Sequence, residues 1–193
     1  MYELIVLSLL ARGPVHGYVI SSVINDVIGP FARASNGRIY PLLTKLEADG
    51  LIEIDAETTS EGGRVARTFA ITAAGRARFR DLMLDTTQNP REYRELFAFK
   101  VTAFDQITRD DRVILLEHYR EFCAAHVRHL EHQGRDIERA RTYRHSAAQR
   151  VRFASVFDHL VGGWQREAAW ATALLAAEAA PKRRRRTAAT SKP

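Results

Sequence analysis

Apolar positions in the first ninety residues recur with two different periods, and the change of period divides the segment. Leu4, Ile5, Val6, Leu7, Leu9 and Leu10 are apolar nearly all round, as in a short buried helix over residues 2–11 that Gly13-Pro14 ends. From about His16 to Ile28 the apolar residues Tyr18, Ile20, Val23, Ile24, Val27 and Ile28 fall at steps of three and four, and Gly29-Pro30 closes this second helix. A third helix begins between Ser35 and Arg38 and ends at Gly50, with Ile39, Leu42, Leu43 and Leu46 inward and Arg38, Thr44 and Lys45 outward. Pro41 requires that helix to start close before it, because a proline is harmless only where its missing N–H would have been unpaired. After Gly50 the period becomes two. Leu51 to Asp55 and Arg67 to Thr72 alternate across a loop holding Gly62-Gly63-Arg64, which predicts a hairpin with a polar tip. Thr72 can cap a fourth helix running to about Asp85, with Phe79, Leu82 and Met83 on it.

Beyond Asn89-Pro90 the pattern is purely helical. Residues 91–106 put Tyr93, Phe97, Val101 and Phe104 on one stripe. A helix capped by Thr108, with Asp110 and Asp111 in its first turn, repeats Leu116, Tyr119, Cys123, His126, Leu130, Gln133, Ile137 and Ala140 at alternating three and four. Residues 147–179 place Phe153, Phe157, Leu160 and Trp164 similarly and run on through Trp170. So long a seam demands a partner helix. The expected division is 1–88, 89–180 and a disordered basic tail over 181–193.

Three short helices followed at once by a hairpin is the order of a winged helix-turn-helix. The expected fold is mainly α: an N-terminal winged helix-turn-helix with a two-stranded β wing, then an all-α dimerisation domain. Burying the apolar faces of the second and third helices against the first leaves the polar face of the third free to enter a major groove. That makes Arg38, Thr44 and Lys45 groove-facing candidates and Arg64 and Arg67 wing candidates.

Composition adds limits. The chain has 193 residues, 46% of them apolar and 27% charged, which suits soluble domains with a core. Its net charge of +6 lies in the tail, since residues 1–90, 91–180 and 181–193 carry −1, +1 and +6. The charge of the whole therefore says nothing about the folded body. Lys182 to Arg186 would either add phosphate contacts or serve as a solubilising tail. No apolar run is long enough for a membrane span, the start lacks a basic region before its apolar run, and Cys123 has no partner for a disulfide, so a cytoplasmic location and no membrane contact are expected.

The residues themselves resemble those of the PadR-like transcriptional regulators. Leu9-Leu10-Ala11-Arg12-Gly13-Pro14-Val15-His16-Gly17-Tyr18 is similar to the opening signature of that family. Ser35-Asn36-Gly37-Arg38-Ile39-Tyr40-Pro41-Leu42-Leu43 with Leu46-Glu47-Ala48-Asp49-Gly50-Leu51-Ile52 resembles its recognition-helix signature, proline included. Arg67 to Arg76 resembles its last strand and the helix start after it, and the helical half looks like that of the longer subgroup with a dimerisation region. The resemblance implies a homodimeric, cytoplasmic repressor that binds a double-stranded DNA operator and is released by a small molecule or stress signal. By position it places Ser35, Gly37, Arg38, Tyr40 and Lys45 on the DNA, with Tyr18 and the wing arginines on the backbone. Each has a plainer role as well: Ser35 as an N-cap, Gly37 as a backbone choice, Tyr40 as cover for the core edge. The hairpin departs from the family habit of Pro, Lys and Arg, carrying Glu57 and Glu61 beside Arg64 and Arg67.

His118, His126, His129 and His132 cluster near Cys123, and Cys123 and His126 share a helical face. A packed thiol and a hydrogen-bonded histidine explain that pair, with His129 and His132 facing water, so neither metal nor cofactor is expected. The aromatic residues of the helical half could line a pocket for a small planar aromatic effector, with Phe97, Trp164 and Trp170 as candidates, or could simply be core and dimer interface. Trp164 and Trp170 lie about 120° apart on a helix, so both are not expected to face one partner squarely. No phosphate loop, zinc-protease helix or nucleophile elbow occurs, and the chain is not expected to be an enzyme. The alternative reading is a protein-interaction module using the winged helix and a coiled-coil-like helical region.

Overall fold

The computed structural model describes residues 1–28, 36–59, 65–87, 92–139 and 146–180. Its order is α1 (Tyr2–Leu10), β1 (Val15–His16), α2 (Gly17–Ile28), α3 (Asn36–Ala48), β2 (Ile52–Thr59), β3 (Val65–Ile71), α4 (Ala73–Leu84), α5 (Tyr93–Thr102), a 3₁₀ turn (Phe104–Gln106), α6 (Arg109–Arg139) and α7 (Ala147–Ala179). Two compact units result, Met1–Thr108 and Arg109–Pro193. The expected division at 88/89 falls inside the first of them. Arg12 accounts for part of this, donating to the Thr102 carbonyl at 2.9 Å and to Asp105 at 2.7 Å, which ties the end of α5 to the end of α1. The expected tail lies outside the described residues.

In the first unit α1 is buried on most sides through Leu4, Ile5, Val6, Leu7 and Leu10, as an all-round apolar helix must be. Ile20 and Ile24 of α2 and Ile39, Leu43 and Leu46 of α3 complete this core. The period of α2 implied two more inward residues than the fold uses, because Tyr18 is 63% exposed and Val27 is 40% exposed. Pro41 stands inside α3 rather than in its first residues, on the exposed side. The helix ends on Gly50 at a φ of 71°, with Leu51 N–H bonded to the Leu46 carbonyl and Gly50 N–H to that of Glu47. This is a Schellman ending, and the left-handed φ it requires favours glycine.

The expected hairpin is present and carries a third strand that the pattern does not announce. The sheet order is β1-β3-β2, all antiparallel. β1 has only two residues, Val15 opposite Phe69 and His16 opposite Thr68, too short to register as an alternation. Ile52 pairs with Ile71 and Ile54 with Phe69, the register then shifts between Ile54 and Ala56, and Glu57 comes opposite Arg67. Thr72 caps α4 as expected, its Oγ1 accepting from Gly75 N–H at 3.0 Å and donating to the Gly50 carbonyl at 2.7 Å. Arg78 reaches Glu3 through both Nε and Nη2, joining α4 to α1.

The second unit is an antiparallel helix pair. Leu115, Leu116, Tyr119 and Cys123 of α6 are buried, and Ala171 of α7 is buried with them. The Tyr119 hydroxyl donates to Glu167 at 2.8 Å. Burial, reinforced by that carboxylate, pushes the phenol well above its usual range. The expected seam fades along α6, where His126 and Leu130 are half-buried and Gln133 is exposed. On α7 the apolar stripe splits: Phe157 lies over Gly134 and Trp164 lies against α6, whereas Phe153 and Leu160 are 37% and 42% exposed. No helix among the described residues is long and apolar enough to cross a membrane.

Candidate nucleic-acid interface

The register of α3 decides which side chains leave the core. With Ile39, Leu43 and Leu46 turned in, Gly37, Arg38, Tyr40, Thr44 and Lys45 stand exposed, and Tyr40 is 46% so. Arg38 and Lys45 make no ion pair among the described residues, which leaves two positive charges on a solvent-facing helix edge. Ser35 and Arg64, also expected here, lie outside the described residues.

α2 begins directly after β1, so Tyr18 sits in its first turn beside the sheet. Its ring stacks on His16 at 5.5 Å between centroids, and the His16 Nδ1 is 2.7 Å from the Thr68 hydroxyl of β3. Gly17 permits the close approach behind this stack, since a Cβ there would come within 3.3 Å of the Phe69 ring. Arg67 projects from β3 with its Nε 2.6 Å from Glu57, both side chains being about half exposed. An exposed pair of this kind contributes little to stability, but it places a carboxylate beside the guanidinium.

These elements bring Tyr18, Tyr40, Thr44 and Arg67 around one cleft of about 550 Å³, floored by Leu43 and Phe69. Glu47 also lines it. Sequence reasoning named neither His16 nor Glu47 as a site residue. Glu47 was within reach, being one helical step beyond Thr44 on the same edge. His16 was not, because its place follows from a two-residue strand.

The aromatic residues proposed for an effector distribute differently. Phe97 is fully buried in the first unit, edge-on to Tyr93 at 6.1 Å and to Phe104 at 6.4 Å. Trp164 and Trp170 belong to the second unit, and both touch α6: Trp164 stacks on His126 at 4.2 Å and meets Phe122 edge-on, while Trp170 meets Tyr119 edge-on at 6.4 Å. Both tryptophans thus touch α6, though from opposite flanks of the contact stripe and not both squarely. Indole rings reach far enough sideways that two residues on opposite flanks of a helix's contact stripe can both lie on the same neighbour. A cavity of about 710 Å³ on this pair is lined by Leu130, Arg150, Phe153, Phe157 and Asp158 among others, and by neither tryptophan among the described residues. Cys123 is buried, and the His126 Nδ1 lies 2.9 Å from the Phe122 carbonyl, as expected of a packed thiol and a hydrogen-bonded histidine. Among the described residues no three His, Cys, Asp or Glu side chains are grouped to hold a metal ion.

Comparison with known proteins bears on the same residues. Residues 6–81 match the family described as "Transcriptional regulator PadR-like family". The negative transcriptional regulator PadR of Bacillus subtilis (strain 168) is 27% identical over 107 residues, which are 55% of this chain and 58% of that protein. An uncharacterized 37.1 kDa protein in transposon Tn4556 of Streptomyces fradiae is 40% identical over 74 residues, 38% of this chain and 19% of that protein. The matches thus span less than two thirds of the length of either relative. Among solved structures, Bacillus subtilis PadR in complex with operator DNA aligns over 91% of this chain and 96% of that one, at 20% identity and a TM-score of 0.41.

Proposed function

We propose that the chain, whose residues 6–81 match the PadR-like transcriptional-regulator family, is a non-enzymatic, sequence-specific DNA-binding regulator, a homodimeric repressor acting in the cytoplasm on a palindromic operator. The observation that carries this reading is the pair of exposed cations, Arg38 and Lys45, which make no ion pair among the described residues and stand on one edge of α3, turned away from its buried Ile39, Leu43 and Leu46. An α-helix fits a major groove about 12 Å wide, and an arginine on its outer edge can bind guanine through two hydrogen bonds. Thr44, about 100° round the helix from Lys45, would face the groove on the cleft side of that edge. Tyr18 and Arg67, flanking the same cleft, would hold the sugar-phosphate backbone and set the register.

Dimerisation is supported by α7. Phe153 is 37% exposed, Val156 53% and Leu160 42%, apolar side chains at steps of three and four on one side of that helix that a second copy would cover. Two such copies would place their α3 helices on half-sites one helical turn, about 34–36 Å, apart. A small effector, for which a planar aromatic compound is the proposed class, would act by binding one spacing of the α3 helices better than another.

The test is binding of the purified chain to its own upstream intergenic DNA, against an unrelated duplex of equal length, at two salt concentrations. The expected result is tight binding of the upstream DNA alone, falling steeply with salt as counterions are released. Absence of duplex binding, or binding indifferent to salt, overturns the reading and favours a protein partner for the winged helix.

A further inference from the structure

We propose that the cleft between α2, α3 and β3 binds a small organic cation, of the quaternary or aromatic ammonium class, in direct competition with DNA. The competition rests on the reading of that face as the DNA-contacting one, while the cation site stands on the cleft alone.

At about 550 Å³ the cleft lies within the size range of small-molecule sites. Its floor is apolar, with Leu43 and Phe69 only 1% and 4% exposed, so the bottom offers contact area and no competing hydrogen bonds. Tyr18 and Tyr40 stand at the rim, 63% and 46% exposed. The faces of such rings attract cations, and aromatic residues with a carboxylate are the usual setting for a quaternary ammonium group.

Charge selects the sign of the ligand. One acidic residue, Glu47, and one basic residue, Arg67, line the cleft, and Arg67 is already held by Glu57 at 2.6 Å, which leaves the Glu47 charge to set the sign. Glu47 has neither an ion pair nor a side-chain hydrogen bond among the described residues, and it is half-buried. On a face that meets phosphates, an uncompensated carboxylate opposes binding. A bound organic cation neutralises Glu47 without a hydrogen-bond donor. Because Tyr18, Thr44 and Arg67 line the cleft and are also proposed to touch DNA, an occupant there and a duplex exclude one another. Their coupling is then reciprocal and negative.

The experiment uses phenyltrimethylammonium chloride as the probe, with the full chain and its Glu47→Gln and Tyr40→Leu variants. Uptake is measured first without DNA, by equilibrium dialysis. Glu47 is partly solvent-facing, so Glu47→Gln should fold, and circular dichroism checks both variants. The wild type is expected to take up the probe, and both substitutions should weaken uptake at least about fivefold. Duplex binding is then titrated with the probe at constant total salt. The apparent Kd for the duplex should rise in proportion to probe concentration for the wild type and at least about fivefold less steeply for Glu47→Gln, which itself binds the duplex no less tightly. Equal uptake by wild type and Glu47→Gln, or no uptake by the wild type up to about 10 mM, overturns the site. Probe and duplex bound together without mutual effect overturns the competition. Uptake that depends on Glu47 in a chain that binds no duplex supports the site and removes the DNA reading instead.

Discussion

Arg67 Nε lies 2.6 Å from Glu57 Oε1, and the two residues face each other because one extra residue has entered β2. Ahead of that irregularity Ile52 pairs with Ile71 and Ile54 with Phe69; carried on unbroken, the same register would set Ala56 opposite Arg67. A bulge adds one residue to one strand and shifts every later partner by one. Here the shift converts a lone arginine into half of an ion pair, on a strand that lines the proposed DNA face.

Glu57→Gln should therefore release the Arg67 charge. The expected outcome is duplex binding tightened about threefold, with a salt dependence steeper by a fraction of one counterion. Fluorescence anisotropy over a salt series measures both. Identical affinity and slope in the two proteins would place Arg67 away from the backbone.

Arg38→Ala should weaken operator binding by about 1–3 kcal/mol without changing the sedimentation of the protein, because Arg38 is exposed and makes no ion pair among the described residues. Lys45→Ala should cost less and weaken all duplexes alike, as expected of a phosphate contact. An Arg38→Ala protein that binds its operator like the parent removes that residue from the interface.

Val156→Asp tests the dimer. With Val156 53% exposed on α7, a carboxylate there is tolerated in a single copy but is buried unpaired if a second copy covers the helix. The expected result is a monomer by analytical ultracentrifugation, with unchanged helical content and strongly weakened operator binding. A variant with the parent's mass in solution would show that this stretch of α7 lies outside the interface.

Gly75→Ala should destabilise the first unit by about 2–3 kcal/mol. A methyl group there would overlap the Leu51 carbonyl oxygen and crowd Ile71, while Gly75 N–H is held by the Thr72 cap. Urea unfolding gives the value, and a loss below about 0.5 kcal/mol would mean that the loop before β2 yields freely.

Lys100 links stability to pH. Its ammonium is fully buried, donates to the Asp85 carbonyl at 2.6 Å, and has its pKa lowered from 10.5 to about 8, by desolvation against an opposing pull from the Asp85 charge. Between those values the unfolded chain binds the proton more strongly than the folded one, so this residue's contribution to stability rises with pH through the window. Below pH 8 the contribution is constant and at its lowest. Lys100→Met should thus be more stable than the parent at neutral pH by about 1–2 kcal/mol, with the advantage shrinking as pH climbs from 8 towards 10.5. Denaturant melts at neutral and high pH check this, and a gap independent of pH would dismiss the lowered pKa.

Several elements could be read before any coordinates. Hydrophobic period is a local signal, and it located α1, α2, α3, α4, α6 and α7 to within a few residues, with Thr72 as a cap and Gly50 as a stop. The exposed edge of α3 followed from the same pattern, since fixing Ile39, Leu43 and Leu46 inside fixes Arg38, Thr44 and Lys45 outside. The split of α7 between residues packed on α6 and residues left exposed was not legible, because both kinds carry apolar side chains at helical spacing.

By itself, then, the sequence determined which residues are helical, where the chain turns, and which edge of α3 faces water, because propensity, capping and period act over a few neighbours. Only the tertiary structure decided that Tyr18 stacks on His16 instead of entering the core, that Glu47 shares a cleft with Tyr18 and Tyr40, and that Arg67 meets Glu57. Each depends on strand pairing. β1 has two residues and gains its place only from β3, and a single inserted residue in β2 resets every later partner. Pairing energy comes from a distant strand, so the local pattern carries no record of it.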